Sequence, residues 1–375
     1  MSFTSLLVAT LLTHVTSATP RSSADEWTSL DQEIAALADQ PQAGQQPTQG
    51  IAVNGWIRTR YANSSDVDAD PSAAGDQDLG GFNLDSVRLV VRGTAVEGYG
   101  FLISFDAGDE AVNDAASDGV GVVDAYATVR PCDCLTITMG RFCAMFLANT
   151  CVEERKLLFL DRSFLDEAWD WRDLGVQVSG SFQRFEYWAA IQNGMDGAAD
   201  EYALTARASM HVIGHNLCTQ EGCPMGVEPS KLLTVGVAWY DDQSMDEGAA
   251  LGGDVLFAWD RFSAVAEIVD HEEEMRPGLA LNPSTGVLIP MDFAATGPET
   301  PWGITLGYLL VPERWEVGLR WQDLDDEADT SSIGAAVNLY FAGHDAKWTA
   351  QFDSVDSDDS ALDAETIAVG LTVGV

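Results

Sequence analysis

A run of acidic and basic side chains lies in one long stretch of the chain, residues 143–172. Opposite charges that face each other across a narrow passage set a transverse electric field and a size limit for ions. The stretch also carries large aromatic side chains, among them Phe159, Phe164, Trp169 and Trp171, so it could instead be a surface loop that these rings tie down. We favour the constriction, because a loop of this length needs somewhere to bury its rings. The charged candidates are Glu153, Glu154, Arg155, Lys156, Asp161, Arg162 and Arg172.

Basic side chains recur at alternate positions of the segments that read as β-strands, on the polar face of each. As a ladder they could bind and relay anions by charge-assisted hydrogen bonds. Acidic residues such as Asp106, Glu267 and Glu316 share that face, so cross-strand ion pairs that hold a wall together are the alternative. Both interpretations stay open. The basic candidates are Arg58, Arg60, Arg88, Arg92, Arg130, Arg207, Arg320 and Lys347.

The six cysteines are compatible with export and disulfide formation. Cys218 and Cys223 enclose a short loop and are predicted to form a disulfide. Cys143 and Cys151 could tie the predicted constriction loop. The remaining two, Cys132 and Cys134, flank a single residue, and we regard their pairing as strained.

Metal and cofactor binding are not indicated. No CxxC spacing is present, and His211 and His215, four residues apart, are too far separated on a strand to share one ion. The acidic stretches 323–329 and 353–363 lack the ordered pattern of a calcium loop, which favours a solvated acidic rim. Enzyme motifs such as HExxH, GxSxG, the P-loop and the Rossmann glycine pattern are absent, so we expect no enzyme.

Segments of period-two hydrophobicity recur from residue 51 to the last residue, and many are near the ten residues that a tilted membrane strand needs. On 315–322, for example, Trp315, Leu319 and Trp321 alternate with polar or small residues. The sixteen predicted strands are 51–61, 82–93, 98–107, 121–130, 134–142, 173–182, 184–193, 201–212, 230–240, 250–259, 262–270, 302–311, 314–322, 332–342, 345–355 and 364–375.

The connections between these strands alternate between tight turns and long polar loops, apart from the long connection 213–229 where a short turn is due. An even strand number with turns at one end and loops at the other is typical of a transmembrane barrel. A soluble β-sandwich would not require this asymmetry. The predicted fold class is therefore all-β, a sixteen-stranded antiparallel transmembrane β-barrel.

The N-terminal part reads differently. Residues 1–18 resemble a secretory signal peptide, although an ordinary N-terminal helix is the alternative. Residues 19–50 are predicted to hold a short helix, at 24–40, and a linker rich in Gln, Pro and Gly. The barrel domain is expected over 51–375.

The charge balance limits the partners. With 19 Lys and Arg against 59 Asp and Glu, the formal net charge is −40, which argues against nucleic-acid binding, since phosphate contacts need basic side chains.

Several motifs resemble one known family, the phosphate-selective porins O and P of Gram-negative outer membranes. Leu160-Asp161-Arg162-Ser163, followed by the segment from Arg172 to Gly180 (RDLGVQVSG), is similar to the third loop and following strand of that family. Gly140-Arg141-Phe142, Gln192-Asn193-Gly194 and His344-Asp345-Ala346-Lys347 are further matches. The resemblance implies a sixteen-stranded, usually trimeric barrel with an N-terminal periplasmic segment and a pore for small anions.

The sequence therefore predicts a cofactor-free outer-membrane porin for small ions and hydrophilic solutes, with phosphate or other anions among the candidates. The expected partners are outer-membrane lipid, the solutes and two further copies of the chain. A cation-preferring general porin and a non-conducting structural or adhesin barrel are the alternatives.

Overall fold

The computed structural model describes residues 50–67, 77–108, 120–132, 134–194, 201–214, 220–222, 231–282 and 285–375. The predicted signal peptide and N-terminal helix lie outside these residues. Sixteen antiparallel strands form one closed barrel, in which the first and last strands pair from Trp56–Gly374 to Ser65–Glu365. The predicted fold class is confirmed.

The barrel strands are close to those predicted from the sequence. Their bounds are β1 Gly50–Val67, β2 Gln77–Val96, β3 Tyr99–Asp106, β4 Gly121–Cys132, β5 Leu135–Cys143, β6 Arg172–Phe182, β7 Phe185–Gln192, β8 Ala203–Ile213, β9 Lys231–Asp242, β10 Ala249–Trp259, β11 Phe262–His271, β14 Trp302–Val311, β15 Trp315–Asp323, β16 Ser331–Tyr340, β17 Ala346–Asp356 and β18 Ala364–Gly374.

The alternation of side chains explains why these segments close into a barrel with two different surfaces. On β15, Leu319 and Trp321 point outward and are 57% and 50% exposed, whereas Glu316 and Arg320 point inward and are 0% and 4% exposed. An apolar exterior and a polar interior suit a barrel surrounded by lipid. Among the described residues, no helix has the length and apolar character needed to cross a bilayer.

Tight turns join strands at one end of the barrel, called here the short-turn end. Gln183, Asp260 and Glu313 lie in these turns with φ of 56°, 54° and 57°. Positive φ at a turn position matches the twist of two-residue β-hairpins, so these residues set the register of the strands they connect. The opposite end carries the longer connections and is called the long-loop end.

One long connection contains structure that the sequence analysis missed. Within 272–301, strands β12 (Pro277–Leu281) and β13 (Leu288–Phe293) form a separate two-stranded sheet. Leu279 and Leu281 pack against a buried cluster that includes Leu288 and Leu324. The hairpin therefore depends on contacts with residues remote in sequence, which local patterns do not reveal.

Residues 143–172, named the inward loop, fold into the barrel. The loop contains a 3-10 turn, Glu154–Lys156, and one short helix, α1 (Phe164–Ala168). Ser163 caps α1 by accepting a hydrogen bond from the Asp166 backbone N–H at 3.0 Å, and donates to the Asp166 carboxylate at 2.7 Å. This reciprocal arrangement satisfies donors at the helix start.

A testable consequence concerns the outer surface. Leu319→Arg places a charge on the exposed apolar face of β15 and should lower the free energy of unfolding by about 2–4 kcal/mol if that face meets lipid hydrocarbon. Urea unfolding of the barrel refolded into lipid vesicles measures the change. Asp358→Arg, in a long-loop connection, is the control and should alter stability by less than about 0.5 kcal/mol; equal effects of the two substitutions would contradict a lipid-facing β15.

Candidate functional site: the inward loop and the barrel lumen

The inward loop is first tied to itself. A disulfide joins Cys143, at the end of β5, to Cys151, with the Cα atoms 6.2 Å apart. The Arg162 guanidinium donates hydrogen bonds to the backbone oxygens of Asn149 and Val152 at 3.2 and 2.6 Å. Its Nε lies 3.0 Å from the Asp170 carboxylate. These contacts gather both halves of the loop around Arg162.

Apolar side chains of the loop pack against glycines of the barrel wall. A Cβ at Gly370 would lie 2.4 Å from the Leu160 side chain, and one at Gly318 would lie 2.8 Å from that of Leu158. Gly252 leaves similar room for Phe146, at 2.9 Å. The wall thus has shallow grooves where strands carry glycine inward, and the loop fills them. The buried apolar residues of the loop include Phe146, Leu147, Leu157, Leu158, Phe159, Leu160, Phe164, Leu165 and Trp169.

Ion pairs join the acidic residues of the loop to strands β1 and β2. Asp161 accepts two hydrogen bonds from the Arg60 guanidinium, each 2.7 Å long. Glu154 lies 3.0 Å from Arg88 and 3.5 Å from Arg58. Closer to the short-turn end, Glu153 pairs with Arg92 at 3.0 Å. The loop is therefore fastened along this wall by paired charges of low exposure, except at Arg92, whose side chain is half exposed.

These charges shift the ionisation of the loop carboxylates. Burial alone would raise the pKa of Glu154, but Arg58 and Arg88 outweigh it and lower the pKa to about 2. Likewise, burial opposes but Arg60 prevails in lowering the pKa of Asp161. Because both pKa values are lowered, the pairs contribute fully above the ordinary carboxylate pKa of about 4.5. The Glu154 pairs lose their contribution as the pH falls towards 2.

Further wall residues bind the backbone of the loop. Arg320 donates to the Asp161 carbonyl oxygen at 3.0 Å, Asn338 donates to that of Leu158 at 2.7 Å, and Lys347 donates to that of Leu157. Arg207, on β8, donates to the Phe146 carbonyl oxygen at 2.7 Å. These donors satisfy carbonyl groups that no strand pairing serves.

Several acidic partners were not identified from the sequence. These are Asp85, which lies 3.4 Å from Arg58 and 2.8 Å from Arg60, and Asp254, which pairs with Arg207 at 2.5 Å. Asp106, which the sequence did place on the polar face, lies 2.7 Å from Arg88. The alternation of side chains along β10 places Asp254 on the inward face, so its position could have been predicted from the sequence. Asp85 lies next to a β-bulge that shifts the register between β1 and β2, so alternation alone does not place it.

The sequence analysis also missed Glu221, whose partners in the barrel lie far from it along the chain. It belongs to the connection after β8 at the short-turn end, yet it is 1% exposed inside the barrel. Its carboxylate accepts hydrogen bonds from Arg320 at 2.9 Å and from the Leu158 backbone N–H at 2.8 Å. Its own N–H donates to the Lys156 carbonyl oxygen at 3.1 Å. A segment from the short-turn end thus holds the inward loop from below.

The other predicted site residues have simpler surroundings. Arg155 pairs with Glu153 at 2.9 Å and with Asp345 in a tight turn, and Lys156 lies 3.3 Å from Glu153. Arg172 contacts Asp170 at 2.6 Å and Asp124 at 3.4 Å. Arg130 is exposed near the short-turn end of β4.

Four of the six cysteines lie within the described residues and form two disulfides. Cys132 and Cys134, whose pairing we regarded as strained, form a disulfide with the Cα atoms 5.3 Å apart. The two-residue separation across the turn at the end of β4 keeps them within bonding distance. Cys218 and Cys223 lie outside the described residues. Within the described ranges, no three His, Cys, Asp or Glu side chains are grouped to hold a metal ion.

The free space inside the barrel lies beside the loop, next to β2–β6. A cavity of about 230 Å³ is bounded there by wall residues and by the loop. Its charged lining comprises Arg88, Arg92, Arg162, Arg172, Asp124, Glu153 and Glu154. A second cavity of about 240 Å³ lies beneath the loop near Trp188 and Arg207. Both cavities are lined by Cys151, Val152 and Glu153, so they meet at one edge of the loop.

Residues 57–222, less than half of the chain, match the family model described as Phosphate-selective porin O and P. The resemblance read from the sequence motifs is confirmed. A search of curated proteins finds no match.

Solved structures share the fold at low sequence identity. The outer membrane channel DcaP of Acinetobacter baumannii is 14% identical, with a TM-score of 0.55 over 89% of this chain and all of that chain. An E1M, A116K mutant of Rh. blastica porin is 12% identical, with a TM-score of 0.54 over 87% of this chain and all of its own. Salmonella typhi OmpF, in a complex with daunomycin, is 9% identical, with a TM-score of 0.55 over 87% of this chain and 98% of that chain.

Substitution of Glu221 tests how the loop is held. Glu221→Gln removes the charge opposite Arg320 and leaves a buried cation, which should cost about 3 kcal/mol of unfolding free energy. Glu299→Gln is the matched control, since Glu299 pairs with Arg276 at 3.0 Å but its side chain is 58% exposed; we expect a loss below about 1 kcal/mol. Urea unfolding curves measure both. Equal losses would contradict a structural role for Glu221.

Proposed function

We propose that this chain, whose residues 57–222 match a family of porins, is a passive diffusion channel of the outer membrane for small ions and hydrophilic solutes. The observation that carries the proposal is the charged cavity of about 230 Å³ inside a closed barrel with an apolar exterior. Its lining carries both signs of charge and no enzyme motif, which suits transient passage of hydrated solutes.

The route of diffusion is proposed to lie beside the inward loop. Ion pairs and hydrogen bonds fasten the loop to β1 and β2 and to β8, β15, β16 and β17. On the side of β3–β6 the loop faces open space instead. Solutes therefore pass between the loop and this sector, and Glu153 and Arg172 lie along their path.

The channel is proposed to prefer cations. The inward-facing arginines of β1 and β2 have carboxylate partners, which reduces their attraction for a passing anion. At the long-loop end, the connections 243–248, 272–301, 324–330 and 357–363 contain many Asp and Glu but a single basic residue, Arg276. This uncompensated charge raises the local concentration of cations at the entrance, over a Debye length of about 8 Å in physiological salt.

Three further expectations belong to this proposal. Residues 1–18 direct export and are then removed, the remaining residues up to 50 lie in the periplasm, and three copies assemble into a homotrimer. Their support is the signal-like composition of the N-terminus and the resemblance to the porin family. The long-loop end faces the outside of the cell, as long loops do in bacterial barrels of this kind.

Conductance of the refolded protein in a planar lipid bilayer tests the proposed function. Under a KCl gradient, we expect stepwise current with a reversal potential that favours K⁺, because the wall arginines are neutralised and the entrance is acidic. Bilayers that receive detergent alone are the control. A reversal potential that favours Cl⁻ would reject the cation preference, and an absence of current would reject the channel in favour of a structural barrel.

A further inference from the structure

The hairpin of β12 and β13 leaves the barrel between β11 and β14, yet its tip reaches β1 and β18. We name Asn282, Thr285, Gly286 and Val287 the hairpin tip. The Gly286 carbonyl oxygen accepts a hydrogen bond from the Thr366 hydroxyl at 3.3 Å. Thr366 also bonds to Ser64, on β1, at 2.9 Å. The hairpin therefore lies across part of the barrel mouth.

Close packing fixes the tip against this wall. Gly286 has φ of +65°, and a Cβ there would lie 2.1 Å from the Ser64 hydroxyl and 2.4 Å from that of Thr366. Only glycine combines this backbone conformation with so close an approach. The hairpin tip can therefore lie this close to β1 and β18 only because residue 286 is glycine.

The hairpin also rests on the inward loop. Leu288, 5% exposed, forms a buried cluster with Phe164 of α1, with Leu324 and Leu362 from other long-loop connections, and with Val355 near the end of β17. This apolar contact removes water between the hairpin base and the loop. The hairpin and the inward loop consequently form two stacked layers inside the long-loop end.

Between these layers remains a cavity of about 50 Å³, enough for a few water molecules. Thr285 and Val287 line it from the tip, and residues of the inward loop line it from below. Glu154 and Arg162 line both this cavity and the larger one of about 230 Å³. The small cavity is therefore adjacent to the proposed diffusion route, on the hairpin side.

Acidic groups dominate the lining of the small cavity. Four carboxylates, those of Glu154, Asp161, Glu167 and Asp170, accompany two guanidinium groups, those of Arg58 and Arg162. Of these four carboxylates, Glu167 has its negative charge least balanced by a guanidinium group, since its side chain is 41% exposed and lies 3.9 Å from Arg162. The larger cavity has four arginines and three carboxylates in its lining. Basic side chains are therefore in excess around the larger cavity, and acidic ones around the small cavity.

We propose that the hairpin tip and the inward loop form a second, outer constriction beside the larger cavity, and that its charges contribute to the cation preference of the channel. The proposal rests on the proposed function. Small cations are the ions that this opening favours, and Thr285 and Glu167 are the residues that determine this specificity.

Two charge substitutions test the proposal through the reversal potential near 1 M KCl, where a Debye length of about 3 Å suppresses effects from distant charges. Burial and the neighbouring Asp170 raise the pKa of Glu167 to about 7, so the measurement is made at about pH 8.5, where Glu167 is ionised. There, Glu167→Gln removes a negative charge from the opening, and Thr285→Lys adds a positive one. Each should lower the permeability ratio of K⁺ to Cl⁻ by about threefold, since a charge this close to a passing ion is little screened. Thr285→Lys should also reduce the conductance.

Matched controls separate the opening from its surroundings. Glu247→Gln makes the same change as Glu167→Gln at an exposed site of another long-loop connection, and Ala295→Lys adds the same charge on the exposed base of the hairpin connection. Both should leave the permeability ratio unchanged. Glu167→Gln alters a partly exposed side chain, so it provides a result even if Thr285→Lys fails to fold.

The outcomes distinguish the two proposals. Wild-type protein that conducts, with shifted ratios only in the Glu167 and Thr285 variants, supports the outer constriction. Wild-type conduction with ratios unchanged in folded Glu167→Gln overturns the outer constriction and leaves the diffusion channel in place. Absence of wild-type current overturns both.

Discussion

A loop that folds into a barrel must satisfy its own backbone polar groups and charges without the pairing that strands provide, and this requirement organises the lumen. Arg320, Asn338 and Lys347 donate to carbonyl groups of the inward loop, while Arg60 and Arg88 bind its carboxylates. Unpaired, these groups would each be costly to bury. The inward-facing side chains of the wall are therefore as much a binding surface for the loop as a lining for a passage.

The same requirement changes how the arginines are understood. A ladder of free guanidinium groups would attract anions, whereas Arg58, Arg60, Arg88, Arg207 and Arg320 all contact carboxylates. Their described contacts are those of the cross-strand ion-pair alternative, extended to the loop and to the segment that holds Glu221. Net negative charge then accumulates at the long-loop end, where Arg276 is the single basic residue of the four acidic connections, and there we place the selection of ions.

Local patterns in the sequence were sufficient for the barrel but not for what fills it. Alternation on strands such as β15 and positive-φ turns such as Asp260 depend on neighbours within a few residues, so strand number and facing could be predicted. The length and aromatic content of 143–172 indicated an inserted loop. By contrast, Glu221 and the β12–β13 hairpin take their places through partners far away in the sequence, and Cys132 with Cys134 needed the geometry of a specific turn.

The central claim, that wall arginines anchor the inward loop, is tested most directly by a double-mutant cycle on Arg60 and Asp161. Urea unfolding of the wild type, Arg60→Ala, Asp161→Ala and the double variant measures their coupling free energy. The bidentate, buried contact predicts a coupling of about 2 kcal/mol or more. Additive losses within about 0.5 kcal/mol would contradict the claim, and Arg60 would then return to the alternative of an anion-binding residue.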